Sequence, residues 1–109
     1  MVQAPPEYIE DVRRYTHTVN HRAVSGLVRY LSLALRRPES ATVASSDPRE
    51  LVRLREGYLK TRLRLDLPDA ELDAAVHDVM TLMAGDPHKS RVTVCYLLAA
   101  RFGRLPLFV

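Results

Sequence analysis

Residues 85–102, GDPHKSRVTVCYLLAARF, decide the reading of this chain. From Val92 to Phe102 almost every position is apolar, and a helix that is apolar all round sits at the centre of a fold rather than on its surface. Asp86-Pro87 reads as a helix start, with Gly103 closing the far end. The first turn then carries His88, Lys89 and Arg91, cations where the helix dipole favours anions. Their compensating anion is either a carboxylate of the same chain, with Asp86, Asp78 and Glu71 as candidates, or an external phosphate held at free backbone N–H groups.

Around this segment the periodicity places four more helices and no strand. Tyr8, Val12 and Tyr15 recur at helical spacing over Glu7 to Tyr15. A second helix runs from His21 to Leu35, capped by Asn20. Its interior Gly26 costs about 1 kcal/mol against alanine, which points to close approach of another backbone. The third opens at Asp47-Pro48-Arg49-Glu50, a capping-box-like start, and runs to about Leu63. On an α-helical wheel Leu51, Leu54, Tyr58 and Leu65 share its inner face, and Arg49, Arg53, Lys60 and Arg64 its outer face. The fourth follows Leu67-Pro68-Asp69, with Leu72, Ala75, Val76, Val79, Met80 and Met83 in register and Gly85 as its C′ residue. Residues 36–46 read as a loop. Residues 1–6 and 105–109 read as tails, the latter free to dock, fray or meet a second chain.

The expectation is therefore an all-α, single-domain bundle of about five helices spanning residues 1–109, with the C-terminal helix central. The 109 residues suffice for one core, and 47% apolar with 27% charged residues suits a soluble globular chain. Cys95 is the only cysteine, so no intrachain disulfide is available. Its setting makes it a buried core residue rather than a nucleophile. No apolar run approaches the roughly 20 residues of a membrane span, and the N-terminus lacks the pattern of a signal peptide. The expected location is the cytoplasm, without membrane contact.

The net charge of +3 conceals an uneven layout: residues 66–86 hold six acidic and no basic side chains, set between basic segments. Either the acidic helix lies against basic neighbours of the same chain, or a basic face is free to meet a polyanion. The candidate anion- or nucleic-acid-binding residues are Arg49, Arg53, Lys60, Lys89 and Arg91. A metal site is not expected, since Asn20 breaks the helix between His17 and His21. There is no glycine-rich phosphate loop and no nucleophile elbow, so neither a cofactor nor a catalytic residue is assigned.

The runs VSGLVRYLSLALR (24–36), SSDPRELVRLREGYLKTRL (45–63), LDAAV (72–76) and DPHKSRVTVCYLLAARFGRL (86–105) resemble a family of small, uncharacterised bacterial proteins defined only as a domain of unknown function. The resemblance covers about residues 10–105. Its most specific part is Lys89-Ser90-Arg91-Val92-Thr93 followed by Tyr96-Leu97-Leu98-Ala99. Val94 and Cys95 stand where the family usually carries aromatic residues. The resemblance implies a compact helical protein and no reaction. The leading functional expectation is a non-enzymatic binding or regulatory module that contacts another protein or its own copy. The alternative is a nucleic-acid- or phosphate-binding protein, with an enzyme third.

Overall fold

A computed structural model describes residues 5–109. The helices are α1 (Pro6–Arg13), α2 (His21–Tyr30), α3 (Pro38–Ala41), α4 (Pro48–Arg53), α5 (Asp69–Leu82) and α6 (Arg91–Arg101). A π-helical coil, Leu54–Arg62, continues α4, and 3₁₀ turns occupy Ala34–Arg36 and Leu105–Phe108. Two short strands, β1 (Thr42–Val43) and β2 (Lys89–Ser90), pair antiparallel with Thr42 opposite Ser90 and Val43 opposite Lys89.

The central helix is where its composition demanded. Val92, Thr93, Val94, Cys95, Tyr96, Leu98 and Ala99 of α6 are all buried, against α1, α2, α3, α5, β1 and the C-terminal turn. Two polar groups inside this core are spent on neighbouring helices. The Thr93 hydroxyl donates to Asp11 on α1. The Tyr96 hydroxyl accepts the backbone N–H of Asn20 at 2.8 Å, while the Asn20 side chain caps α2 by accepting from Ala23 N–H. The radius of gyration, 12.8 Å, is that of a folded domain of this length.

The start of α6 is a correction. Asp86-Pro87 does not begin the helix: the Asp86 carboxylate accepts the His88 N–H at 2.9 Å, and the chain then runs extended through β2. Asp47-Pro48 uses the same local chemistry, its carboxylate accepting Arg49 N–H at 3.0 Å, and there the helix follows. Pairing with β1 decides between the two outcomes, so the expectation of no strand also fails.

A second correction lies in the third helical segment. At the 100° per residue of an α-helix, Leu59 and Leu63 would face away from Leu54 and Tyr58. All four are buried. The i→i+5 coil, with roughly 4.4 residues per turn, returns them to one face. Leu63 N–H reaches Tyr58 O at 2.8 Å, and the Thr61 hydroxyl donates to Glu56 O at 2.8 Å. Arg64, just past the coil, is in the left-handed region at φ 57°.

Three smaller differences concern ends. The second helix stops at Tyr30, and the chain continues by looser turns, Leu35 N–H to Leu31 O and Arg36 N–H to Leu33 O. Residues 36–46 hold α3 and β1 rather than a bare loop. The glycine with left-handed backbone is Gly103 (φ 67°), not Gly85; Arg104 N–H to Ala99 O and Gly103 N–H to Ala100 O close α6 in a Schellman arrangement.

The C-terminal segment docks. Phe108 is buried between Tyr30 and Tyr58, with ring centroids 5.9 and 6.3 Å away. The Arg62 guanidinium lies 4.5 Å above its ring and donates to Leu107 O at 3.2 Å. This is the backbone that Gly26 anticipates: a Cβ at position 26 would stand 1.8 Å from the Phe108 carbonyl oxygen. Residues 1–4 of the other expected tail lie outside the described residues.

Candidate partner-binding surfaces

The five cations singled out from the sequence do not share a face. Lys89 is only 7% exposed, and its ammonium donates to Asp86 O at 2.8 Å. Arg91 donates to Ser40 O at 2.6 Å and Thr42 O at 3.3 Å, and pairs with the carboxylate of Glu50, itself 7% exposed. The anion that answers Arg91 at the start of α6 is thus one of the same chain, but it comes from α4 and not from Asp86, Asp78 or Glu71. Lys60 lies 2.6 Å from Asp69 and 2.8 Å from Glu56, and these carboxylates raise its pKa, Asp69 most. Arg49 and Arg53 alone project, their side chains 85% and 78% exposed, with long contacts to Asp47 (3.6 Å) and Glu50 (3.9 Å).

The acidic segment is engaged in the same way. Asp73 and Asp69 lie 3.0 and 3.7 Å from Arg55, Asp78 lies 2.6 Å from Arg101, and Asp86 lies 3.0 Å from Arg14. Lys60 holds the Asp69 carboxyl below its ordinary pKa. The His88 N–H, and then Arg14, do so for Asp86. The intramolecular reading of the charge asymmetry therefore accounts for most of α5.

Between α4 and α5 lies an open groove of about 270 Å³. It is lined by the apolar Leu51, Val52, Val76 and Met80 together with Ser45, Pro48, Arg55, Asp73 and His77. The α4 cap positions it: Asp47 fixes the first turn, which sets Leu51 inward and leaves Val52 44% exposed. The Arg55–Asp73 pair holds the two walls together. A thioether and branched aliphatics make such a lining adaptable to an apolar side chain.

A second surface has no counterpart among the sequence-derived candidates. Between Val12 and Pro38 the chain has six arginines and no acidic residue. Arg13 and Arg14 are paired on α1. Arg22, Arg29, Arg36 and Arg37 are exposed and, among the described residues, have no ion pair. Glu39, the next carboxylate along the chain, pairs with none of them. Tyr30 and Leu33 stand among these arginines, 42% and 74% exposed. The signal in the sequence is the spacing of seven between Arg22 and Arg29, which puts cations on the outer side of a helix whose inner side is Ala23, Val24, Leu27 and Leu31, with Arg36 and Arg37 continuing the basic run.

The reactive side chains are tied into the core. Cys95 is buried, and burial pushes its thiol up to about 12. The Tyr58 hydroxyl donates to Cys95 O at 2.6 Å, and burial raises its pKa strongly. Among the described residues no group of three or more histidine, cysteine or acidic side chains is placed to hold a metal ion, and no helix is long and apolar enough to cross a membrane.

Compared with known proteins, residues 7–106 match the family model described as "Protein of unknown function (DUF2853)". No curated protein matches the chain.

Proposed function

The chain belongs to that family of unknown function, and from its surfaces we propose a non-enzymatic binding module that takes a short apolar segment of a partner protein into the groove between α4 and α5. One observation carries this reading: an apolar lining lies open between two helices beside an Arg55–Asp73 pair that is already neutralised, so a ligand gains burial there without stripping water from an unpaired charge. A binding role is also favoured over a chemical one by the state of the two most reactive groups, since Cys95 and Tyr58 are held protonated inside the core. The alternative, a phosphate-binding face built from Arg49, Arg53, Lys60, Lys89 and Arg91, has less support because the last three spend their charge within the chain. We place the module in the bacterial cytoplasm, where a lone reduced thiol is at home.

The test is selection from a displayed library of helical peptides, followed by NMR shift mapping of the isotope-labelled protein. The expected result is a peptide with one or two apolar anchors that shifts Val52, Val76 and His77 and loses affinity about tenfold in Val52→Asp. Failure to select any peptide, or shifts confined to other faces, refutes the groove. Oligonucleotide binding that depends on Arg49 and Arg53 would favour the alternative.

A further inference from the structure

We propose that the arginine-lined outer face of α2 and the turn after it is a second interaction surface, fitted to an acidic, apolar-anchored segment of another protein. Residues 21–36 form one nearly continuous coil, carried past Tyr30 by Leu35 N–H to Leu31 O and Arg36 N–H to Leu33 O. Its buried side is Ala23, Val24, Leu27 and Leu31. Arg22 and Arg29 project from the other side two turns apart, and Arg36 and Arg37 follow, exposed, between the end of the coil and the cap of α3.

Elsewhere in the described structure Arg55, Lys60, Arg91 and Arg101 each meet a carboxylate, and Arg62, Lys89 and Arg104 donate to main-chain carbonyls. This coil differs in gathering four exposed arginines that make no ion pair. Four exposed cations that make no ion pair among the described residues create a local positive potential, which favours an acidic partner. The apolar residues set among them select the class of that molecule. Leu33 is, among the described residues, the most exposed of the large hydrophobic side chains at 74%. Tyr30 is held in place by the Arg62 guanidinium, 5.2 Å above its ring. A nucleic-acid backbone offers an isobutyl group nothing to bury against, whereas an acidic amphipathic helix offers carboxylates for the arginines and an aliphatic stripe for Leu33 and Tyr30.

The test uses the full chain, isotope-labelled, and four probes: an amphipathic peptide with glutamate on one face and leucine on the other, poly-glutamate, a short thymidine oligonucleotide, and vesicles containing phosphatidylserine. The expected result is that the amphipathic peptide shifts the amides of residues 22–37 and binds more tightly than poly-glutamate, and that its affinity falls as salt is raised. Reversing Arg22, Arg29 and Arg36 to glutamate weakens it by about tenfold or more, and Leu33→Ser weakens it several-fold. These side chains make no ion pair among the described residues, so the fold persists through the changes; an Arg→Gln set, checked by circular dichroism, serves if the reversal does not. The proposal is overturned if the peptide gives no shifts on this coil, if its affinity survives the charge reversal, or if the oligonucleotide or the vesicles bind the coil more tightly. Val52→Asp leaves this binding unchanged, which separates the outcome from that of the groove.

Discussion

Replacing Gly26 with alanine sets two effects of opposite sign against each other. In an isolated helix the change stabilises by about 1 kcal/mol, because glycine is the poorer helix former. Here the new Cβ would stand 1.8 Å from the Phe108 carbonyl oxygen and 2.7 Å from its carbonyl carbon. Those are main-chain atoms and cannot swing aside, so the C-terminal turn must leave its seat. Phe108 then loses its place between Tyr30 and Tyr58, at a cost near the ~3 kcal/mol lower end for losing a buried phenylalanine, since the freed segment recovers some conformational entropy. The balance is a loss of about 2 kcal/mol and a melting temperature lower by roughly 10 °C. Urea unfolding followed by circular dichroism measures it, and a double-mutant cycle identifies the cause. In a Phe108→Ala background the seat is already weakened, so Gly26→Ala turns neutral or stabilising there. If Gly26→Ala stabilises the parent chain, or if the two changes add without coupling, the backbone contact is not what position 26 serves.

Glu50→Ala strands the largely buried Arg91 guanidinium and costs about 3 kcal/mol, whereas Glu50→Leu with Arg91→Met is far milder; equal losses in the chemical denaturation of both would refute a desolvated pair. Arg64→Gly relieves a left-handed residue and stabilises by up to about 1 kcal/mol, so a lower urea midpoint would count against that strain. The Asp86 carboxyl titrates below its ordinary 3.8 in the folded state. The stability it contributes is therefore complete above that value and is lost as pH falls through the folded one. Asp86→Asn should flatten the acid limb of the stability curve, and an unchanged limb would remove Asp86 from it. Cys95 should react with a disulfide reagent near neutral pH only as fast as the protein opens; rapid labelling of the native state would contradict its burial.

Where one residue's chemistry sufficed, the sequence was legible. Asn20 and Asp47 cap the helices they precede. Gly26 announced a close backbone, although not which one. The unbroken apolar run after Arg91 located the centre of the fold. Legibility failed where distant segments compete. Asp86-Pro87 is locally as good a helix start as Asp47-Pro48, and only the strand partner at Thr42–Val43 tells them apart. The π coil was invisible because a wheel drawn at α-helical pitch sends Leu59 and Leu63 outward, and nothing local says that both must be buried. Lys60 and Arg91 carry their charge in the sequence, but their partners Asp69 and Glu50 become neighbours only in three dimensions, whereas Lys89 turns back to the main-chain carbonyl of nearby Asp86. The uncompensated arginines of α2 were legible in principle, as a charge of one sign over a long stretch. They are obscured in the balance of the N-terminal part because Glu7, Glu10 and Asp11 offset them.

The two-residue ladder between β1 and β2 has a consequence for the order of folding. It ties residue 42 to residue 90, so everything from α4 through α5 lies inside the loop it closes. Two rungs return little against the chain entropy lost in closing a loop of that size. The ladder therefore cannot nucleate anything: it clicks shut after the helical arm inside it has docked, and it springs first when that arm lifts away. Hydrogen exchange along the two strands should, for this reason, outpace that of α6, and equal protection in both would refute this order of opening.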